Sequence, residues 1–209
     1  AAERHQRILE VLDDLDLTER KDLPIHKLSG GQLKRVSIGV ELLTKPRLFY
    51  LDEPTSGLDP GTEYNMMKLL RHLADQGRTI VLITHATKNV MMCDKVIFVV
   101  RGGYVAFYGP PEEALLYFDR YRTDQERREK DMEFDSIYIV LEDEKRGKPT
   151  DWAERYQKSS AYQSYVVERL RHRQGAASSV GPNTIARRIS SGATKRVSAL
   201  SQLMILSSR

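Results

Sequence analysis

The sequence predicts an α/β fold with parallel strands and a C-terminal hairpin, followed by a helical and flexible tail. Two short, continuous apolar runs, RLFYLD at 47–52 and RTIVLITH at 78–85, read as strands buried on both faces. A capped helical segment lies between them, and strand, helix, strand in this order predicts a parallel crossover. Both carboxyl ends then share one edge, where open α/β sheets place their ligands. DKVIFVVRGGYVAFYG at 94–109 reads as two further strands joined by a two-residue Gly102-Gly103 turn.

The remaining elements follow in chain order. ERHQRILEVLDDL at 3–15 sets Ile8, Leu9, Leu12 and Leu15 at helical spacing, and the polar DLDLTERKDLPIHK behind it is a loop broken by Pro24. Ser29 caps a helix reaching about Thr44, with Val36, Val40 and Leu43 on one face and Pro46 beyond its end. Asp59-Pro60 starts the next helix, which runs to Gln76 and stops at Gly77. PPEEALLYFDR is a short helix opened by proline. After about Arg122 the chain turns charge-dense, with an apolar island around Ile137 to Leu141. TDWAERYQKSSAYQSYVVERLRHR is a helix bearing Trp152, Tyr156, Tyr162 and Val166, which either docks back on the body of the protein before it or serves as a spacer. Residues 174–194, rich in Gly, Ser and Ala, read as a flexible linker.

Charge and cysteine content narrow the classes. The net charge of +4 arises in the tail: 25 basic and 29 acidic residues precede Arg169, and eight basic and no acidic residues lie from there to the end. Such a tail meets solvent, an anionic lipid surface or nucleic acid. A single cysteine, Cys93, excludes an internal disulfide framework and fits a reducing compartment. No apolar run is longer than five residues, as in VIFVV, so no segment reaches the roughly 20 residues of a spanning helix.

The chemistry concentrates between Leu28 and His85. Ser29-Gly30-Gly31 ahead of a helix offers bare N–H groups at the positive end of the helix dipole, a turn suited to an anion and equally to a plain cap. Asp52 ends a buried strand, where a carboxylate needs a cation or hydrogen-bond donors; Mg²⁺ held through water is the natural partner beside phosphates. Glu53, one residue on, points the other way by strand alternation and can orient or deprotonate a water. His85 ends the neighbouring strand and reaches the same edge.

LSGGQ at 28–32, LDEPTSGLD at 51–59 and TH at 84–85, in this order, resemble the ATP-binding cassette ATPases. The resemblance covers roughly residues 1–120 and implies a partial P-loop NTPase core. It makes Leu28, Ser29, Gly30, Gly31 and Gln32 the signature motif and Leu48 to Asp52 the Walker B strand, with Asp52 serving the metal. It makes Glu53 the catalytic glutamate, Ser56 to Asp59 the D-loop, Asp59 a cofactor-side residue, and His85 the switch histidine. The cofactors implied are ATP and Mg²⁺. KRVSIGVELLTKPRLFYLDEPTSGLD and YVAFYGPPEEALLYF are similar to the G-type half-transporters and to bacterial relatives joining the ATPase to an ABC-2-type membrane domain.

That likeness sets the expected organisation: 1–122 as the C-terminal portion of a nucleotide-binding domain, 123–173 as a charged and helical extension, 174–194 as linker. Residues 195–209 then begin an amphipathic connecting helix ahead of a membrane domain. The partners implied are a second nucleotide-binding domain, a transmembrane domain fused C-terminally and the cytoplasmic membrane surface, with no nucleic acid. No G-x-x-x-x-G-K-S/T string occurs in the 209 residues, so the resemblance implies that the phosphate loop lies upstream and that these residues alone are inactive. A soluble cassette ATPase acting on nucleic acid or ribosomes is the competing expectation, although the tail lacks the interleaved aromatics of base stacking. A non-enzymatic regulatory module is the third, opposed by the intact Asp52, Glu53 and His85. Ser190 and Ser198 stand in basic strings resembling kinase sites.

Overall fold

The computed structural model describes residues 2–172. The expected linker, the connecting helix, Ser190 and Ser198 therefore lie outside the described residues. The chain divides into two compact units, Ala1–Cys93 and Asp94–Arg209.

In the first unit, helix α1 (Ala2–Asp14) leads through two 3₁₀ turns to α2 (Gly30–Leu42), strand β1 (Leu48–Asp52), α3 (Pro60–Asp75) and β2 (Thr79–Ile83). The strands pair in parallel, Leu48 opposite Thr79 through Asp52 opposite Ile83, as the strand–helix–strand order predicts. Gly77, at φ +91, ends the run that continues from α3. The core gathers Val11, Leu15, Leu17, Ile38, Leu42 and Phe49 with five residues of α3. Burying each such aliphatic side chain contributes about 1.5–3 kcal/mol.

Three sequence expectations change here. Helix α1 packs through Val11 and Leu15, while Ile8 is exposed. Helix α2 turns Ile38 and Leu42 inward; of the expected stripe Val36 packs against the core, whereas Val40 and Leu43 are exposed. Gly39 favours this, because a Cβ there would stand 2.8 Å from Cδ1 of Leu15, just beyond α1, and 3.4 Å from Cγ1 of Val11 within it, so a bare backbone lets both pack close on that side. Strand β1 is buried on one face only: Phe49 meets the core and Leu51 packs against it, whereas Leu48 and Tyr50 are exposed. The side-chain period of two exposes them, because the helical core covers a single face of this two-stranded sheet.

In the second unit, β3 (Val96–Val100) and β4 (Tyr104–Gly109) form an antiparallel hairpin. The connection is three residues, Arg101 to Gly103, and not two: Val100 pairs with Tyr104, and a register shift at Phe98/Val99 absorbs the extra residue. Gly102 and Gly103 take φ of +88 and +78. Helices α4 (Pro111–Asp119), α5 (Asp124–Glu129), α6 (Phe134–Glu142) and α7 (Pro149–Gln157) come next. The apolar island becomes α6, burying Ile137 and Val140. The expected single helix over 150–173 is broken at Lys158-Ser159, where the Ser159 hydroxyl caps a second helical run, 160–172. Its aromatic residues dock and do not act as a spacer: the Tyr156 hydroxyl donates to the Tyr108 carbonyl at 3.1 Å, and Trp152 is fully buried. Rings of Phe98, Phe107, Tyr117, Phe118, Tyr121 and Trp152 meet at 4.8–6.0 Å. Burial pushes the Tyr156 hydroxyl up to about 12.

Among the described residues no helix is long and apolar enough to cross a membrane.

Candidate functional site

The parallel pair ends in the charged edge of the first unit. Asp52, exposed, is the last residue of β1. The ladder reaches one step further, with the Glu53 N–H donating to the Ile83 carbonyl at 2.8 Å. Glu53 itself turns left-handed, at φ +48. A non-glycine residue there is uncommon and strained, so the turn, and not strand alternation, aims this side chain.

The turn brings Glu53 to His85. Glu53 Oε1 and His85 Nδ1 lie 2.8 Å apart. The His85 side chain is 77% exposed and that of Glu53 33%, so the imidazole faces solvent while the carboxylate is set back. The other oxygen, Glu53 Oε2, is shut from solvent with no hydrogen-bond partner. An unsatisfied buried carboxylate oxygen is costly, and a local shift is needed before a water or ligand donor can complete it.

The signature turn is built separately. Ser29 caps α2: its hydroxyl accepts from the Gln32 N–H at 3.3 Å, and the Gln32 side chain accepts from the Ser29 N–H at 2.9 Å. This capping box ties Ser29 and Gln32 to each other. Leu28 ends the preceding 3₁₀ turn, Ile25–Lys27. Gly30 borders open space. Gly31 sits so close to α3 that a Cβ would lie 2.6 Å from Thr62 Cγ2. Its glycine is a steric requirement of helix packing.

Asp59 caps α3, its Oδ1 accepting the N–H groups of Gly61 and Thr62 at 3.1 Å each. Hydrogen bonding from Thr62, side chain and backbone, holds its carboxyl below the usual carboxylate range. Asp59 thus has a structural function whatever else it contacts.

The structure joins Glu53 to His85 and brings Gly31 against the helix that Asp59 caps. Sequence reasoning missed two participants. Thr62 seats the signature turn, and Lys34 donates from α2 to the Ser56 carbonyl in the loop after Glu53. Thr62 stands in no motif, and although Lys34 opens the string KRVSIGVELLTKPRLFYLDEPTSGLD, no local spacing signals its contact with Ser56, 22 residues on.

For a metal, the fit is to an ion that keeps much of its own water. Among the described residues no three His, Cys, Asp or Glu side chains gather to hold one. Asp52, exposed at the strand end, supplies one carboxylate, a pattern that suits Mg²⁺ beside phosphates.

Residues 2–56 match the ABC transporter family model. The chain is 46% identical over 111 residues to the ABC transporter ATP-binding/permease protein Rv1747 of Mycobacterium tuberculosis, covering 53% of this chain and 13% of that protein. It is 34% identical over 153 residues to ABC transporter G family member 1 of Dictyostelium discoideum, covering 68% of this chain and 19% of the relative. Among solved structures it is similar to cbiO1 from Clostridium perfringens, part of the ABC transporter complex cbiONQ, with a TM-score of 0.51 and 38% identity over 56% of this chain and 47% of that one. The chain thus spans less than a fifth of either curated relative. The fold, the parallel edge and the matched motifs agree: they are those of the ATP-binding cassette ATPases, and the chain is similar to relatives of the G-type branch.

Proposed function

We propose that this chain is part of the nucleotide-binding domain that powers a G-type ABC transporter, and that Glu53 and His85 form its hydrolytic pair. The observation supporting this most is the 2.8 Å contact between Glu53 and His85, with Glu53 Oε2 left unpartnered and out of solvent. Once a local shift admits a water to Oε2, the carboxylate orients that water and accepts its proton. His85, mostly exposed, offers its ring to a terminal phosphate while Glu53 holds the other side of the ring. Asp52 would hold Mg²⁺, which when bound neutralises charge on the phosphates.

The signature turn, Leu28 to Gln32, presents the N-terminal end of α2 to an anion, and in this reading the anion is nucleotide held by a second nucleotide-binding domain. Asp59 stands beside that turn through Thr62. Transport results if a membrane domain is coupled to closure of the two nucleotide-binding domains, with the ATPase on the cytoplasmic face. Because the 209 residues contain no phosphate-loop string, the chain alone is expected to hydrolyse no ATP.

The test is Glu53→Gln in the native full-length protein. Turnover should fall by about 10²–10⁴ with the melting temperature unchanged. Retained turnover would assign the base elsewhere, and substantial MgATP hydrolysis by the 209-residue chain would overturn the dependence on a phosphate loop.

A further inference from the structure

One side-chain bond ties α2 to the loop that begins at Glu53, and a second contact sets α2 against α3, the helix that follows the loop. The Gly31 backbone abuts Thr62, and Lys34 Nζ donates to the Ser56 carbonyl. The loop holds itself together by short bonds, with the Ser56 N–H on the Glu53 carbonyl at 3.1 Å and the Leu58 N–H on the Thr55 carbonyl at 3.2 Å. Thr55, inside the loop, is a buried polar residue. The loop's first residue is the left-handed Glu53 and its last, Asp59, caps α3. A cation on the Ser56 carbonyl therefore holds the residue whose N–H is bonded to the Glu53 carbonyl.

We infer that Lys34 is a positioning residue: its ammonium ties the signature helix to the loop 53–59, so that the signature turn and the Glu53 carboxylate keep a fixed relation. It touches neither Glu53 nor His85. A charged donor on a carbonyl is a stronger tie than a neutral hydrogen bond, and no other side chain of α2 is found on this loop among the described hydrogen bonds. Lys34 would thus carry displacement at the signature turn to the hydrolytic pair. The inference rests on the reading of Glu53 and His85 above, but its physical core, the tie itself, does not.

The experiment has two arms. Deuterium exchange on the full chain, without nucleotide, follows the amides of Ser56 and Leu58 in wild type, Lys34→Met and Lys34→Arg. Lys34→Met should raise their exchange about tenfold while α3 stays protected, and Lys34→Arg should restore most of the protection. Unchanged exchange in Lys34→Met overturns the inference, whether or not the protein hydrolyses ATP. In the native protein, Lys34→Met should lower kcat for MgATP several-fold, with KM within about twofold of wild type. A raised KM with unchanged kcat would make Lys34 a nucleotide-binding group instead. A wild-type protein that hydrolyses no ATP would refute the functional reading and leave the exchange arm to decide this one.

Discussion

The two units solve packing in opposite ways. The second closes on itself: a ring cluster around Phe118 and Trp152 fills the space between hairpin and helices, and Arg146 stitches the outside by bonding Tyr121, Glu126 and Asp143. The first has an aliphatic core on one side of a two-stranded sheet and leaves Leu48, Tyr50, Val81 and Ile83 exposed on the other. It also carries the left-handed Glu53 with a buried, unpartnered oxygen. Buried polar atoms without partners occur in both units, Glu53 Oε2 in the first and Tyr117 Oη and Trp152 Nε1 in the second, whereas left-handed non-glycine backbone, at Asp16, Lys45 and Glu53, is confined to the first among the described residues.

Breaking the second unit should therefore cost most. Trp152→Ala empties a fully buried site among rings and is expected to destabilise that unit by about 3–5 kcal/mol, read by thermal denaturation. If the first unit melts in step with it, the two are one cooperative body and the comparison fails. Next comes Gly31→Ala: the new methyl meets Thr62 and should cost about 1–3 kcal/mol, in the first unit alone, by urea denaturation. Asp59→Ala removes the α3 cap and should cost about 1 kcal/mol, read in the same urea titration.

The smallest effect is acid sensitivity. The Arg146 guanidinium, bonding Glu126, holds that carboxyl down to about 2 from 4.5. A carboxyl whose folded pKa is depressed gives stability that is full above about 4.5 and lost as pH falls toward 2. The fluorescence of Trp152, the single tryptophan, should report a transition there in wild type and a smaller pH dependence in Arg146→Met. Identical acid titrations would show that the Arg146 bonds contribute nothing to the second unit.

Local chemistry is what the sequence makes legible. Ser29 with Gln32 three residues later, and Asp59 before Pro60, announce caps because every participant lies within one helical turn. The end of β1 is readable from an apolar run meeting Asp52, whereas β2 stops at Ile83, two residues short of the expected end at His85. The inward face of α2 is not, since Val36, Val40 and Leu43 and the pair Ile38 and Leu42 are equally apolar; the choice is favoured by Leu15 and Val11 lying over Gly39, a contact between separate segments. The same holds for the site: each residue type is readable, but the left-handed turn at Glu53 that points it at His85 is a property of the folded loop. Lys34 is invisible for the same reason.

The most direct test is a double-mutant cycle on the native protein with Glu53→Gln, His85→Ala and both together, measuring MgATP turnover. If the two side chains act as one unit, the double variant is no slower than Glu53→Gln alone, because each single loss already disables the pair. If the two losses multiply, Glu53 and His85 act independently and their 2.8 Å contact is not a hydrolytic pair.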